Sequence, residues 1–201
     1  MDIKPFLAIA SSDHNHLCPR QILGVRFGLK GMAVLGFEVS LRHKHLLVIS
    51  ETDGCFIDGV IAVTKCTVGH RTLRVEDYGK VAATFVNTKT GQAIRIAPTL
   101  DVRQKANLYA PEEKRHYFAQ MKAYQIMADE ELMSIQEVVL NFSLDELISH
   151  SGVRVNCERC GEEIINEREV IIEGKIYCRS CAKGSYYQQI KTKIDTSKHT
   201  V

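Results

Sequence analysis

A glycine-containing apolar segment opens at a proline and predicts a helix over residues 19–36. Proline is favoured at the first helical position, where its missing N–H needs no partner. Gly24, Gly28 and Gly31 stand at i, i+4 and i+7 in this segment, so they share one helix face. Each costs about 1 kcal/mol relative to alanine. We expect close packing of that face against a sheet or helix, and the alternative is close approach by a ligand.

Strand-length apolar runs and a second helical segment follow the first helix. Continuous apolar runs of this length are typical of buried strands, and two runs joined by a short polar loop predict a hairpin. The predicted elements are a strand over residues 45–50, a helix over 55–64, a hairpin of 81–86 with 93–97, and a strand over 134–140.

A long helix is predicted to open at Pro111, where proline and two following glutamates suit a helix start. Its apolar residues are spaced four, three, four and four positions apart: Tyr117, Met121, Tyr124, Ala128 and Leu132. Such a stripe is typical of a helix that faces a core, and a dimer seam is the alternative. The order of elements predicts an α+β fold, a sheet with helices packed against it.

Composition adds the broad class and the domain organisation. Of the 201 residues, 45% are apolar and 25% charged, which is the balance of an ordinary globular protein. No apolar run approaches the ~18 residues that span a bilayer, and no signal peptide is recognisable. We therefore expect a cytoplasmic protein without a membrane segment. A change of character predicts a core over residues 1–150 and a C-terminal unit over 151–201, whose end from residue 191 should fray.

Four of the seven cysteines form two C-x2-C pairs. Cys157 with Cys160 and Cys178 with Cys181 are separated by 17 residues, within the spacing of zinc sites. Two such turns close a tetrahedron of thiolates around Zn²⁺ with no open position, which is typical of a structural site. The pairs therefore predict one structural zinc ion.

The segment between the two pairs predicts a hairpin that turns at Glu173-Gly174. Knuckle, hairpin and a short helix after Cys181 together resemble a treble-clef finger. Residues 154–193 carry eight Lys and Arg against six Glu, and this surplus of two is too small to indicate nucleic-acid binding. We expect the finger to stabilise the chain or to contact a protein.

A second group of metal-binding side chains precedes the first long helix. In an extended segment His14, His16 and Cys18 point to one side. Cys18 stands at the start of that helix, where backbone N–H groups lower a thiol's pKa, and Cys55 stands at the next helix start. The pattern predicts a metal site or a reactive thiol. The alternative is that the cysteines are small buried hydrophobes and the histidines lie in a surface loop.

Cys66 fits this group less simply. In a continuous helix it would lie about 16 Å from Cys55, whereas two sulfurs on one zinc are about 4 Å apart. Both can serve one ion only if the chain doubles back. Glu51, Asp53 or Asp58 could orient a ligating histidine or pass protons.

Three blocks of the chain resemble the family of the formylmethanofuran dehydrogenase E-subunit. They are HNHLCPRQILGVRFG, ETDGCFIDGVIAVTKCTVG and EDYGKVAATF, and the finger matches the C-terminal domain that some members carry. The resemblance implies a thioredoxin-like α+β core with a mixed sheet flanked by helices. It also implies a metal-binding site in that core, drawn from the positions His14, His16, Cys18, Cys55 and Cys66.

The chain departs from the family pattern at three positions. Members usually have glycine where this chain has Arg20, and glycine and lysine where it has Lys65 and His70. We expect these changes to put bulk and charge beside the site. The family is associated with an enzyme of methane production whose redox chemistry belongs to other subunits.

The favoured hypothesis is a two-domain zinc protein with an accessory or enzyme-like role. A second divalent metal, expected to be zinc, would be bound at His16, Cys18 and Cys55, with His14 and Cys66 as further ligands and one position open. A non-catalytic docking module with structural metals only is the first alternative, and a thiol redox protein is the second. The implied partners are oxidoreductase subunits or a second copy of the chain.

Overall fold

The computed structural model describes residues 2–12, 14, 16–39, 41–145 and 152–188. The chain divides into two compact units, Met1–Leu144 and Asp145–Val201. The predicted boundary near residue 150 and the predicted frayed tail from residue 191 lie outside the described residues. Within those residues, no helix combines the length and the apolar character that a membrane crossing requires.

A five-stranded mixed sheet forms the centre of the first unit. Its strands are β1 Leu46–Ser50, β2 Leu73–Val75, β3 Ala83–Asn87, β4 Ala93–Pro98 and β5 Met133–Glu137. The order across the sheet is β2-β1-β3-β4-β5, with β1 and β2 parallel and the other neighbours antiparallel. All five residues of β1 are buried, because it lies inside the sheet. The predicted α+β class, hairpin and buried strand are confirmed, and β2 was not predicted.

Six helices accompany the sheet in the described part of the first unit. They are α1 Lys4–Ala10, α2 Pro19–Val34, α3 Cys55–Thr64, α4 Val102–Tyr109, α5 His116–Ile126 and α6 Asp129–Leu132. The predictions of α2 and α3 are confirmed. Helices α1 and α4 were not predicted, because their seven and eight residues form too few turns to establish a helical period.

The prediction of one helix from Pro111 through Leu132 is wrong. Helix α5 begins at His116 and ends at Ile126, and Met127 and Ala128 have extended backbone angles. The guanidinium of Arg26 ends the helix by donating to the carbonyls of Tyr124 and Met127, at 2.9 and 2.8 Å. Tyr124 is buried as predicted.

The helix break also divides the predicted apolar stripe. Tyr117, at the start of α5, is 42% exposed, and Leu132 belongs to α6, where it is buried. Ala128 is exposed in the connection between the two helices. The predicted positions therefore do not form one continuous face.

Three glycines let α2 pack closely on its neighbours. A Cβ on Gly24 would lie 2.1 Å from the carbonyl oxygen of Phe56, and one on Gly31 would lie 2.6 Å from the ring of Phe85. On the facing helix, a Cβ on Gly59 would lie 2.2 Å from the carbonyl oxygen of Gln21. Close packing is therefore the reason for the glycine face. Since Gly24 faces the first half of α3 and Gly28 faces Val63 near its end, the two helices run in the same direction.

The second unit is built from two short hairpins and one helical turn. Its elements are β6 Arg154–Asn156, β7 Glu163–Ile165, β8 Val170–Ile172, β9 Lys175–Tyr177 and α7 Arg179–Lys183. Strands β8 and β9 pair antiparallel around Glu173 and Gly174, whose φ angles are 51° and 78°. Two successive positive φ angles are those of a type I′ turn, so the predicted hairpin is confirmed.

Candidate metal sites and the adjoining pocket

The four late cysteines converge in the second unit. Cys157 and Cys160 belong to the turn between β6 and β7, and Cys178 caps helix α7 with its sulfur accepting from the N–H of Cys181 at 3.4 Å. All four sulfurs lie within 4.8 Å of one another, and those of Cys160 and Cys178 are 3.9 Å apart. Two sulfurs bound to one zinc ion are about 4 Å apart, because each Zn–S bond is near 2.3 Å.

The acid–base properties of these thiols fit a cation between them. The backbone N–H of Cys178 is the main cause that lowers the pKa of Cys157 to about 6. A hydrogen bond with the Cys178 side chain, followed by burial and the other sulfurs, raises the pKa of Cys181 to about 12. The sulfurs therefore resist a common negative charge unless a cation balances it. The donor set is that of a closed, structural zinc site.

The first unit brings together the starts of two helices. Cys18 is the N-cap of α2, and its N–H donates to the side-chain oxygen of Gln21 at 2.8 Å. Gln21 is fully buried and donates in turn to the carbonyl of Ala10 at 2.7 Å, which ties the segment before α2 to α1. Cys55 is the first residue of α3 and follows Gly54, whose φ of 75° requires a glycine. Helix α2 packs on α3 through glycines, and this close contact holds the N-termini of the two helices side by side.

A histidine and a carboxylate complete this cluster. His14 Nε2 lies 2.8 Å from Asp58 Oδ2, and both side chains are about one-third exposed. Ligand atoms of His14, Cys55 and Asp58 all lie within 4.8 Å of one another. Asp58 lies one turn beyond Cys55 on α3, which explains how one helix offers both groups to the same point.

Burial is the main cause that raises the pKa of the Cys18 thiol. A hydrogen bond from the backbone N–H of Gln21 lowers this pKa. A hydrogen bond with the Cys55 side chain and the charge of Cys55 raise it further. The backbone N–H groups of Gln21 and Arg20 at the helix start lower this pKa as expected, but burial outweighs them and the net direction is upward. The interaction with Cys55 shows that the two thiols are neighbours.

Tyr117 belongs to the same neighbourhood, which the sequence did not indicate. Its hydroxyl donates to the carbonyl of Leu17 at 3.2 Å. Burial and the charges of Cys18 and Cys55 raise its pKa. No local signal could have assigned it here, because its spacing placed it in the predicted core stripe.

His16 faces a different space from His14. It lines a pocket of about 780 Å³ together with Leu17, Arg115, Tyr117, Phe118 and Met121. His14 instead contacts Asp58. The expectation that both histidines share one set of neighbours with Cys18 is therefore not met. Tyr117 joins the two regions, because it lines the pocket and interacts with the thiols.

The structure places Cys66 and Glu51 away from the cluster. Cys66 is buried in the hydrophobic core, its sulfur lies 3.7 Å from the carbonyl oxygen of Leu46, and burial raises its pKa. The chain does not double back, so Cys66 is not brought to Cys55. Glu51 is buried in a bidentate pair with Arg95, at 2.5 and 2.8 Å, and this partner lowers its pKa. It is therefore engaged rather than available to a histidine, and Asp53 is exposed.

Two of the three departures from the family pattern also lie elsewhere. Lys65 ends α3, opposite the end that carries Cys55, and donates to the carbonyl of Ala62 at 2.8 Å. His70 contacts Arg42 and Thr67, at 2.9 and 2.7 Å. The expectation that these two residues flank the site is wrong. Arg20, in the first turn of α2, is exposed close to Cys18.

Fold and sites define a protein with a mixed-sheet α+β unit followed by a four-cysteine finger. Comparison with known families gives each unit its relatives. Residues 14–149 match the family described as FmdE, molybdenum formylmethanofuran dehydrogenase operon, and the chain belongs to this family. Residues 151–187 match the prokaryotic dksA/traR C4-type zinc finger. The resemblance found in the sequence motifs is confirmed.

Two individual proteins are similar to this chain. A probable S-adenosyl-L-methionine-binding protein of Archaeoglobus fulgidus is 28% identical in an alignment 199 residues long, which covers 89% of this chain and 52% of that protein. The chain thus spans about half the length of this relative. The crystal structure of an FmdE-like protein of the tungsten formylmethanofuran dehydrogenase type, from Syntrophus aciditrophicus, superposes with a TM-score of 0.55 at 21% identity. The superposition covers 92% of this chain and 94% of that one, and it supports the fold alone.

Proposed function

We propose that the first unit binds one divalent metal ion, zinc, at Cys18, Cys55 and His14, and leaves a position open for a small ligand. The observation that carries this proposal is the convergence of two helix starts on one point. Each start contributes a thiol, the two thiols interact, and ligand atoms of His14, Cys55 and Asp58 lie within 4.8 Å of one another. Two thiols and an imidazole are a donor set that suits zinc, and three protein ligands leave the fourth position free.

Asp58 has a positioning role in this proposal. Metal-bound histidines usually donate their second ring nitrogen to a carboxylate, which fixes the ring. The 2.8 Å contact of His14 with Asp58 supplies that partner. The N-terminus of α2 also favours a Cys18 thiolate, because the backbone N–H of Gln21 donates to its sulfur. Binding of the metal would replace the burial penalty on the Cys18 thiolate with a direct ionic contact.

Bound zinc would supply a Lewis acid for a ligand at the open position. The chain's own residues would orient that ligand and limit water. Tyr117 lines the pocket and is placed to accept a hydrogen bond from that ligand, since its one O–H donates to the carbonyl of Leu17. We propose an accessory or enzyme-like role that involves small organic molecules, with oxidoreductase subunits or a second copy of the chain as partners, in the cytoplasm.

The finer fold descriptions belong to the same proposal. We propose a thioredoxin-like core, supported by the parallel β1-α3-β2 crossover beside the antiparallel β3-β4 hairpin. We also propose that the second unit is a treble-clef finger around one structural zinc. The turn with Cys157, the β8-β9 hairpin and helix α7 after Cys178 support this description. The core is proposed to end near residue 150.

A second candidate function is thiol redox chemistry at Cys18 and Cys55. The neighbouring thiols favour it, because the helix packing pairs them although the sequence separates them. In the first candidate function the two thiols bind a metal ion, and in the second they form a disulfide with each other. The relative from Archaeoglobus fulgidus suggests S-adenosyl-L-methionine as a ligand to include in binding trials. A docking module with structural metals only would lack the open site altogether.

Metal analysis of protein purified anaerobically with zinc supplied tests the proposal. We expect two zinc ions per chain, and one after Cys55→Ser or Cys18→Ser. His14→Ala should weaken retention of the same ion. Mass measurement of alkylated protein should find both thiols free once the metal is chelated.

Cys66→Ser is the matched control, since this cysteine lies in the core away from the cluster. It should keep both ions. A zinc content that never exceeds one per chain would refute the core metal site. A Cys18–Cys55 disulfide in protein that lacks the second ion would favour redox chemistry instead.

A further inference from the structure

We propose that the pocket lined by His16, Arg115, Tyr117 and Phe118 binds a small molecule with a planar aromatic body and an anionic group. This proposal deepens the proposed function, because it assigns a ligand class to the open site beside Tyr117. The pocket's volume of about 780 Å³ lies in the usual range of about 300–1,000 Å³ for small-molecule sites.

The walls of the pocket favour an aromatic ligand. The rings of Tyr117 and Phe118 meet edge to face, with centroids 5.4 Å apart and planes at 85°. Such a corner offers one ring face and one ring edge to a third ring. Leu17 and Met121 complete the apolar lining, and a methionine sulfur makes favourable contacts with ring edges. Both aromatic side chains are more than 40% exposed, so apolar area remains for a ligand to cover.

Charge near the pocket favours an anion. The guanidinium of Arg115 lies 6.0 Å from the centroid of the Phe118 ring. Among the described residues, no carboxylate forms an ion pair with it. The nearby acids are engaged elsewhere, because Lys122 binds Glu112 and Glu113 at 3.0 and 2.5 Å. A planar guanidinium with free donors matches a carboxylate with two parallel hydrogen bonds.

The pocket adjoins the metal cluster through two connections. His16 and Leu17 directly precede Cys18 in the chain and line the pocket. Tyr117 lines it too, and its hydroxyl donates at 3.2 Å to the carbonyl of Leu17, the residue that precedes Cys18. A ligand that rests on the Tyr117 and Phe118 rings therefore lies close to Arg115, which flanks Phe118, and to the segment that leads to Cys18.

Binding of 2-naphthoate, compared with the neutral 2-naphthamide, tests this inference on the full zinc-loaded chain. Titration followed by amide chemical shifts should give a dissociation constant for naphthoate at least tenfold lower than for naphthamide. Arg115→Gln should abolish that difference, and Phe118→Ala should weaken both probes. Arg103→Gln, which removes an exposed arginine of α4 outside the pocket, should leave both unchanged.

Equal affinity for the two probes would overturn the inference, as would a preference that survives Arg115→Gln. Shift changes confined to other surfaces would also overturn it. So would a dimer that dissociates on Phe118→Ala, because the aromatic residues would then form an interface between copies. Zinc counts on the same samples judge the proposed function separately. Arg115→Gln should retain both ions, whereas Cys55→Ser should retain one.

Discussion

The two cysteine clusters of this protein differ in how they are closed. The finger assembles four thiols from two tight turns of a small unit, and every donor atom is a sulfur. The core cluster has one thiol at each of two helix starts, and an imidazole and a carboxylate lie within 4.8 Å of the Cys55 sulfur. A closed set of thiolates holds metal to stabilise a fold, whereas a mixed set beside a pocket leaves room for a ligand. The roles proposed for the two clusters therefore differ through ligand geometry rather than through cysteine number.

Loss of the finger zinc should have the largest effect. Cys157→Ser combined with Cys160→Ser removes half of the ligands, and structural zinc supplies about 10–16 kcal/mol of apparent binding free energy in small fingers. We expect one zinc ion to be released and residues 154–185 to lose protection in hydrogen exchange. The core should keep its protection, because β1 to β5 share no ligand with the finger. Loss of protection across both units would show that the two clusters are not independent.

Chelation should separate the clusters by affinity. A mild chelator should remove the proposed core ion first, because the proposed site has an open position and fewer thiolates. The finger ion should follow only with a stronger chelator or a thiol-modifying reagent. Zinc content after stepwise dialysis measures the order. Simultaneous loss of both ions at every chelator strength would contradict the difference between an open and a closed site.

The packing of α2 on α3 positions the side chains of the core cluster. A change in that packing should not affect the finger. Gly24→Ala places a methyl group 2.1 Å from the backbone oxygen of Phe56, which cannot move away without displacing α3. We expect destabilisation of the core by about 1–3 kcal/mol or more in urea unfolding. The core ion should also be held more weakly. Gly28→Ala is the matched control, because it meets the Val63 side chain at 3.0 Å, and its cost should be smaller.

Removal of the Glu51–Arg95 ion pair should have the smallest effect on the stability of the protein, and that effect should be confined to the core. Because Arg95 lowers the pKa of Glu51, the pair stabilises the core above the unfolded pKa near 4.5. That contribution is lost as pH falls through the lower folded pKa. Glu51→Gln should cost about 1.5–3 kcal/mol at pH 7, the range for hydrogen bonds to charged groups. The difference from the parent chain should shrink near pH 3, and a constant difference at both pH values would argue against the ion pair as its cause.

Sequence patterns predicted the elements well where the signal was local and long. The proline at the start of α2, the buried run of β1 and the turn at Glu173-Gly174 each specify a conformation through nearby residues. The patterns failed at short elements and at the helix break after α5. That break depends on Arg26, which reaches carbonyl groups about 100 positions along the chain. No short stretch of the sequence contains both partners of such a contact.

The sequence by itself determined the finger ligands, the glycine face of α2 and the two helix starts that carry Cys18 and Cys55. In each case the residues that carry the signal lie within a few helical turns of one another or within the two C-x2-C motifs. Only the tertiary structure decided which groups meet at the core cluster. It brought His14 to Asp58 across 44 residues and Tyr117 to Leu17 across 100, while it kept Cys66 in the core. The physical reason is that α2 packs on α3 through glycine, so the geometry of the cluster is a property of that contact rather than of either segment.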